Sequence, residues 1–387
     1  MNRASKAKEK TELASEEEKR KLAQAEALMN TEKTIYKGIT IPEGFAPTKV
    51  EGEDSLDDGL VIIDGYGNEY VWVEVPKTIT VYPTAGISIT NFTDEEYSEI
   101  EKDLITYTSK YKNNNTECSD IWYKDEDNSD WLTEKEYYDL KKTMLKSVYQ
   151  NAGFWIGRYE TGIEDYGGQI REYQTEYNIK HEATQTPVIK ANAYPYNWVC
   201  RTQAQKLASN MNSGSYTSSL LFGIQWDLTL KYIEEKIAEK DTSSDSREKI
   251  QTLLSSNSEE IGNYSNSELI LRSGKYSIFG NIGKWYNNDS NENEDIVFNC
   301  VKKVVEERSK TILLTTGASN QTKLQNIYDM AGNVWELTLE KFHVNDIPCS
   351  TRGGAYSELS SHWYASYRSY ASTKHNNSDV GFRVAMY

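Results

Sequence analysis

The chain has 387 residues, of which 37% are hydrophobic and 12% aromatic, so it can form one large or two ordinary folded domains. Its formal net charge of −16, without a concentrated basic segment, excludes the basic face of a nucleic-acid-binding protein and disfavours binding to anionic membranes. Its four cysteines form no C-x-x-C pair, and neither a signal peptide nor a membrane-spanning run is visible. We therefore expect a soluble protein with buried free thiols. If the protein is exported, a disulfide is the alternative.

The first predicted element is a helix. Residues 2–33 are rich in Ala, Glu, Lys and Leu and contain neither Gly nor Pro. The apolar residues form only a thin stripe, made of Leu13, Leu22, Ala25, Leu28 and Met29. Such a stripe is typical of a solvated stalk and not of a helix buried in a core. We therefore divide the chain into an N-terminal helix at 1–33 and a globular domain at 34–387.

The globular domain begins with predicted β structure. Residues 41–50 and 54–77 favour strands, with a hairpin turn at 64–68 and an aromatic strand at 70–75. A further strand is predicted at 153–162, and helices are predicted at 202–211 and 226–238.

Two segments are predicted to be insertions in this domain. The first, at about 94–150, is charged and Tyr-rich and contains two helical patterns, at 94–111 and 133–150. The second, at about 240–265, is polar, and we expect it to be irregular. Short strands, a few helices and long loops together predict an α+β fold and not a doubly wound sheet.

The terminal segment, residues 352–384, has an unusual composition. Of the 25 positions from Ala355 to Asp379, 19 are Tyr, Ser, His, Asn, Asp or Ala. Tyr offers a large, rigid contact area at low entropic cost, and Ser, Asn and His add adaptable hydrogen bonds, as in known binding loops. The segment therefore predicts a recognition surface. A polar, Tyr-rich surface loop without a ligand is the alternative.

Two carboxylates lie close together in the sequence before this segment. Asp329, Gly332 and Glu336 surround a predicted tight turn in which the glycine frees the backbone. Converging carboxylates could bind a hard cation through oxygen. A structural turn whose carboxylates accept backbone hydrogen bonds explains the pattern equally well, and both interpretations stay open.

Three other kinds of residue near the end of the chain favour a structural role. Arg352 and Arg383 are expected to hold the two ends of the terminal segment in place. Gly353 and Gly354 are expected to mark a close backbone approach. Trp335 is expected to lie in the core, because a large aromatic residue in such a motif usually anchors packing.

Several separated motifs resemble the formylglycine-generating-enzyme family of sulfatase-modifying factors. They are YVWVEVPK at 70–77, GFWIGRYETG at 153–162, GIQWDLTLKYI at 223–233, NIYDMAGNVWELT at 326–338, RGGAY at 352–356 and GFRV at 381–384. The resemblance runs from about residue 40 to the end of the chain and implies a C-type-lectin-like fold. It also implies a structural calcium ion, held by the side chains of Asp329 and Glu336 and the carbonyls of Gly332 and Val334.

The chain departs from that family at the catalytic cysteines. The family's enzymes oxidise a substrate cysteine with a reactive cysteine pair between RGG and GFR, whereas Gly353–Phe382 contains no cysteine here. Cys349 lies just outside this interval. The histidines, His181, His343, His362 and His375, match no triad or metalloprotease pattern. We therefore predict a protein without enzymatic activity.

A second resemblance is to non-catalytic members of this fold that are the target proteins of diversity-generating retroelements. In these proteins, adenine-directed mutagenesis rewrites a terminal segment from about RGG to GFRV, and an Asn codon then yields Tyr, Ser, His, Asp, Thr or Ala. The resemblance implies a variable ligand-binding surface made of Tyr356, Ser357, Ser360, His362, Trp363, Tyr364, Tyr367, Tyr370, Ser372, His375, Asn376 and Asn377. An Asn origin fits Glu358, Leu359, Trp363 and Arg368 less easily, and fixed scaffold positions are the alternative for them.

The N-terminus supplies a third resemblance. NRASKAKEKTE at 2–12 is similar to the portion that follows the hydrophobic segment of type IV pilin-like proteins. This implies a pilus or membrane tether through a segment before Asn2, and a place on the cell surface. An exposed helix of a cytoplasmic protein is the alternative.

These observations favour a surface-displayed protein that binds a protein or glycan ligand, without nucleic acid. Two alternatives belong to other functional classes. One is an oxidoreductase of the formylglycine type, and the other is a minor pilin with a purely structural role.

Overall fold

A computed structural model describes residues 3–112, 118–164, 182–211, 214–241, 243–271, 273–278, 284–287, 296–299 and 311–387, with the side chains of 3–7 and 296–299 left out. His181 and Cys300, both considered above as candidate residues, lie outside the described residues.

The helices lie close to their predicted positions, with one addition. They are α1 Arg3–Met29, α2 Asp94–Tyr107, α3 Glu134–Asn151, α4 Arg201–Ser209, α5 Gly223–Lys240 and α6 Ser246–Ser255. Capping boxes start α2 at Thr93 and α3 at Thr133. Each Thr hydroxyl accepts the backbone N–H of the Glu three residues later, and the side chain of that Glu accepts the backbone N–H of the Thr. None of these helices is long and apolar enough to cross a bilayer.

The addition is α6, which lies where an irregular polar stretch was expected. That prediction was wrong because Ile250 and Leu254, one helical turn apart, are buried in the main core and give a polar sequence one packed face. The segment 94–150 is likewise part of the core, because Ile100 and Leu104 of α2 and Val148 of α3 are fully buried in it.

The largest sheet has six strands in the order β3-β4-β5-β6-β21-β9, all antiparallel. Its strands are β3 Phe45–Pro47, β4 Val61–Asp64, β5 Glu69–Glu74, β6 Gly153–Gly157, β9 Ser218–Leu220 and β21 Val384–Met386. The last strand of the chain therefore lies inside this sheet, where Ala385 is opposite Ile156 on one side and Ser219 on the other. The predicted turn at 64–68 is confirmed, with Asp64 Oδ1 accepting the backbone N–H groups of Tyr66 and Asn68 at 2.8 Å.

A four-stranded sheet carries the terminal segment. Its order is β19-β18-β17-β20, with β20 parallel to β17 and the other pairs antiparallel. The strands are β17 Trp335–Lys341, β18 Cys349–Arg352, β19 Arg368–Ala371 and β20 Val380–Phe382. The segment thus leaves β18, loops over 353–367, returns as the edge strand β19, and loops again before β20 and β21.

Small sheets complete the fold. They pair β1 Thr34–Tyr36 with β2 Ile39–Ile41, β7 Gly162–Ile163 with β8 Tyr194–Pro195, β10 Glu268–Leu271 with β13 Ile296–Asn299, and β15 Lys323–Leu324 with β16 Ile327–Tyr328. A three-stranded sheet places β11 Lys275–Ile278 between β12 Trp285–Asn287 and β14 Ile312–Leu314. Mixed helices and several sheets confirm the α+β prediction.

The N-terminal helix is more than a solvated stalk. Its apolar stripe is exposed as predicted, with Leu13 at 59% and Leu22 at 61% exposure. The opposite side is seated on the domain, however, where Ala23 and Ala27 pack against strands β3 and β4. The prediction missed this contact because two alanines, with little apolar surface, allow the backbone of the helix to approach the sheet closely.

Candidate functional site

Buried ion pairs fix the start and the middle of the terminal segment. Arg352 Nη2 lies 2.6 Å from Asp227 Oδ1, and Arg368 Nη2 lies 2.5 Å from Asp227 Oδ2 on α5. Arg368 Nε also donates to Glu340 Oε1 at 2.8 Å. Since all four side chains are buried, each charge depends on its partners. The expected structural role of Arg352 is confirmed. Arg368 belongs to the same set of buried ion pairs, and we call Arg352, Arg368, Asp227 and Glu340 the frame.

Arg383 fixes the other end of the segment. Its Nε and Nη2 donate to Glu336, with Nη2 at 2.6 Å from Oε1. Its Nη1 donates to the Gly157 carbonyl of β6 at 2.9 Å. This buried guanidinium therefore joins the four-stranded sheet to the six-stranded one, as expected for a residue that anchors the segment.

The surroundings of Glu336 do not fit the calcium ligand set that the sequence predicts. Arg383 supplies the positive charge for its carboxylate, and Asp329 Oδ2 accepts the Gly317 N–H at 2.8 Å. Burial raises the pKa of both carboxyl groups. The described residues contain no group of three or more His, Cys, Asp or Glu side chains that could hold a metal ion. Calcium binding by Asp329, Gly332, Val334 and Glu336 stays a prediction.

The turn itself has the left-handed backbone that the motif suggested. Gly332 has φ +71° and Asn333 has φ +60°. The Gly332 N–H donates to the Gly353 carbonyl at 2.8 Å, and the Val334 N–H donates to Glu160 Oε1 at 3.1 Å. Gly354 confirms the expected close approach, because a Cβ there would lie 2.2 Å from the Trp363 carbonyl oxygen. The turn thus supports the start of the terminal segment.

Three of the predicted ligand-binding residues are buried, and these predictions were wrong. Tyr356 is 0% exposed and packs against Leu313 and Val334. Ser360 is also 0% exposed, and its hydroxyl donates to Asn257 Oδ1 at 2.6 Å. Asn376 is buried and donates to the Lys374 carbonyl at 2.9 Å. Tyr356 and Ser360 are hydrogen-bonded within the fold, and burial keeps all three side chains away from a ligand.

Other predicted residues form a partly exposed cluster of rings. Trp363 and Tyr367 meet edge to face at 4.7 Å between centroids, and Tyr364 meets Tyr367 in the same way at 5.7 Å. Tyr370 is 56% exposed, and His362 is exposed. We call His343, His362, Trp363, Tyr364, Tyr367 and Tyr370 the aromatic surface. Ser357, Ser372, His375 and Asn377 are half-buried in the same segment.

Trp335 connects this surface with the interior. It is buried as predicted, and its ring lies 5.8 Å from Trp363 and 6.3 Å from Tyr367. The partly exposed rings of Trp363 and Tyr367 therefore pack against the buried ring of Trp335. This arrangement limits their motion and makes the cluster a continuation of the core.

Sequence reasoning missed the part of the surface that comes from the β17–β18 hairpin. Phe342 lies 5.1 Å from the Tyr370 ring and 4.4 Å from the exposed His343 ring. The pairing of Ser350 with Tyr370 brings the two elements together. No local pattern signals this contact, because it depends on strand pairing between residues far apart in the sequence.

The described cysteines do not offer a reactive thiolate. Cys118, Cys200 and Cys349 are buried and form no disulfide with one another. Burial raises the pKa of the Cys349 thiol, and burial raises that of Cys118 to about 12. The Tyr123 hydroxyl lies 3.3 Å from Cys349 Sγ. These surroundings favour the neutral thiol, which is a poor nucleophile.

One of three comparisons with known proteins gave a match. Residues 284–387 match the family model described as the sulfatase-modifying factor enzyme 1-like domain. The matched range includes the four-stranded sheet, the terminal segment and strand β21. Searches of curated proteins and of solved structures gave no match. The C-terminal part of this α+β chain, which carries the aromatic surface, is thus similar to a sulfatase-modifying factor enzyme 1-like domain.

Proposed function

We propose that this protein is a non-enzymatic binding protein whose aromatic surface contacts a protein or glycan ligand. The observation that carries the proposal is the set of partly exposed rings packed edge to face above buried Trp335. Ring faces supply apolar contact area, and the imidazole and phenol groups supply directional hydrogen bonds.

The frame below the surface supports this role. Arg352 and Arg368 hold the segment on Asp227, and Ser360 is bonded to Asn257 and Asn266. A loop that is already ordered loses less conformational entropy when a ligand binds. The rings therefore form a preorganised contact area on an element that the core holds in place.

Chemistry at this site is disfavoured by the cysteine pattern. The interval Gly353–Phe382 has no thiol, and Cys349 is buried beside Tyr123. An oxidoreductase of the formylglycine type would need an accessible thiolate or a bound metal at this place. Recognition without a covalent step fits the described side chains better.

The proposal includes diversification of the exposed positions. Tyr364, Tyr370 and His362 are residues that adenine replacement in an Asn codon can produce, and they face solvent at least in part. Arg368, in the same segment, is buried and pairs with Asp227. A near-copy of the terminal coding segment in neighbouring DNA, differing only opposite adenines, would support the idea. If neither a copy nor a reverse transcriptase gene lies nearby, diversification is rejected.

The proposal also includes display at the cell surface. The first half of α1 projects a polar, mostly exposed helix, and its C-terminal end is seated on the domain through Ala23 and Ala27. Protease shaving of intact cells followed by immunoblotting tests the surface display, and protection of the chain until cells are lysed would contradict it.

Binding is tested with a ring-deleted variant. The labelled full chain is applied to a glycan array and to an array of purified surface proteins, beside Tyr364→Ala/Tyr370→Ala and the control Lys10→Ala/Lys19→Ala. We expect specific, saturable binding that the ring variant loses and the control keeps, with all three chains equally stable. Binding that is unchanged in the ring variant, or absent for the wild type, would overturn the proposal.

A further inference from the structure

A long groove lies outside the aromatic surface, between α3, α4 and the edge strand β9. Two cavities of about 760 Å³ each adjoin through Asp139, Thr143 and Thr217. A third, of about 250 Å³, continues from the second through Asp130, Thr202 and Lys206. The α3 face along it, from 136 to 150, extends for roughly 21 Å at 1.5 Å per residue. We call this the α3 groove; its size fits an extended chain better than a compact molecule.

The walls of the first cavity of the α3 groove are rich in hydroxyl and amide groups. This cavity is lined by Thr143, Ser147, Gln150, Asn151, Ser215 and Thr217, among others, whereas the carboxylates of Asp130, Glu136 and Glu182 line the other two. Sites for compact apolar ligands are mostly hydrophobic with few polar groups, and the first cavity has the opposite character. One half-buried ring, Tyr97, also lines it, while Tyr216 is buried. Dense hydroxyls and amides match a ligand that carries many hydroxyl groups of its own.

One end of the groove is cationic in an otherwise acidic protein. Lys33 and Lys146 are exposed there, with Lys33 Nζ 5.0 Å from the Tyr216 ring and Lys146 Nζ 5.2 Å from the Phe92 ring. Neither has a carboxylate partner within the described part of the chain, whereas the third lysine, Lys142, is paired with Asp94 at 2.6 Å. Two ammonium groups positioned over rings are available to a ligand carboxylate.

A peptide cannot use this groove by strand addition. β9 is the edge of the six-stranded sheet, but α4 covers it. The Leu220 N–H donates to Gln205 Oε1 at 3.0 Å, and the Ser218 hydroxyl donates to the Ala208 carbonyl at 2.8 Å. Strand addition depends on free main-chain groups at a sheet edge. Recognition must therefore come from the side chains.

We propose that the first cavity of the α3 groove, at its cationic end, binds an oligosaccharide that carries uronate groups. Its hydroxyls bond the Thr, Ser, Gln and Asn side chains, and a uronate carboxylate contacts Lys33 and Lys146. This site is independent of the aromatic surface and of any ligand bound there.

The test uses the full chain and uronate-containing hexasaccharides derived from polygalacturonate, polyguluronate and hyaluronan. Maltohexaose is the neutral probe, and a hexaglutamate peptide is the acidic probe of another class. Isothermal titration is run on the wild type, Lys33→Ala/Lys146→Ala, the charge-matched Lys10→Ala/Lys19→Ala, and Tyr364→Ala/Tyr370→Ala.

We expect at least one uronate hexamer to bind saturably, and the Lys33/Lys146 variant to weaken it by about tenfold or more, because charge-assisted hydrogen bonds are lost. The other two variants should keep wild-type affinity, and the neutral probe should bind more weakly. The proposal is overturned if no uronate hexamer binds, if affinity survives loss of both lysines, or if hexaglutamate binds as tightly. Failure of the aromatic surface to bind its ligand would leave these outcomes unchanged.

Discussion

The terminal segment contains two regions of similar composition and different physical roles. Tyr356 and Ser360 are completely buried, whereas Tyr364 and Tyr370, a few residues later, are partly exposed. Tyr356 packs against Leu313 and Val334 and Ser360 bonds Asn257, whereas the rings of Tyr364 and Tyr370 contact other aromatic side chains, Tyr367 and Phe342. The difference shows that residue type alone does not separate scaffold from contact surface in this segment. Substitutions should therefore divide into those that change stability and those that change binding.

The substitution expected to lower the stability most is Arg368→Ala. It leaves Asp227 and Glu340 buried with Arg352 as their remaining guanidinium partner. Removing one partner of a buried ion pair costs about 3–5 kcal/mol in the free energy of unfolding. Urea unfolding monitored by fluorescence measures the change. As a control, Lys374→Ala breaks the exposed pair with Asp127 and should lower stability far less, because solvent screens that pair. Equal losses in the two variants would contradict the buried-frame interpretation.

Two tyrosines of the same segment make the next comparison. Tyr356→Ala opens a cavity between Leu313 and Val334 and should lower the free energy of unfolding by about 3 kcal/mol. Tyr370→Ala removes a ring that is 56% exposed and should change it by no more than about 0.5 kcal/mol. Both are measured by urea unfolding. If Tyr370→Ala is the more damaging change, the division of the segment is wrong.

The stability of the folded protein should also depend on pH through Asp120, which lies near Glu340 of the frame. Burial and the nearby Glu340 carboxylate raise the pKa of Asp120 to about 7 in the folded protein, above its ordinary value of 3.8. A raised folded pKa contributes stability that is complete below the unfolded value and is lost as pH rises through about 7. We therefore expect the wild type to lose stability between pH 5 and pH 8, and this loss should be smaller in Asp120→Asn.

Asp120 also accepts the N–H groups of Gly223 and Ile224 at the start of α5, at 2.7 and 3.0 Å. Asp120→Asn keeps one acceptor oxygen, so the comparison rests on the slope with pH and not on absolute stability. Urea unfolding at several pH values gives that slope. An unchanged slope in the variant would remove Asp120 as the titrating group.

The smallest expected effect concerns calcium. The Arg383–Glu336 contact predicts that EGTA changes the melting temperature by less than about 1 °C, because an ion that is not bound cannot stabilise the folded state. The sequence motif predicts a fall in the melting temperature instead. Differential scanning calorimetry with added calcium or EGTA separates the two, and a fall of several degrees on chelation would restore Asp329 and Glu336 as ligands.

Local patterns identified most of the described helices and of the strands up to residue 163, but not the later strands. The capping residues Thr93 and Thr133 start helices where the sequence indicated them, and the turn after Asp64 follows from its side chain. Helix α6 was missed because Ile250 and Leu254 are too few to mark an amphipathic face in a polar run. The packing of α1 against the sheet was missed for a related reason, since Ala23 and Ala27 carry little hydrophobic signal.

The amino-acid sequence by itself determined the α+β class, the anchoring arginines Arg352 and Arg383, and the place of a Tyr-rich segment between them. Only the tertiary structure decided which of its residues face solvent, how Arg368 pairs with Asp227, and that Phe342 packs against both His343 and Tyr370. The physical reason is that helix and turn signals act within a few residues, whereas burial depends on strand pairing and packing between residues far apart in the chain.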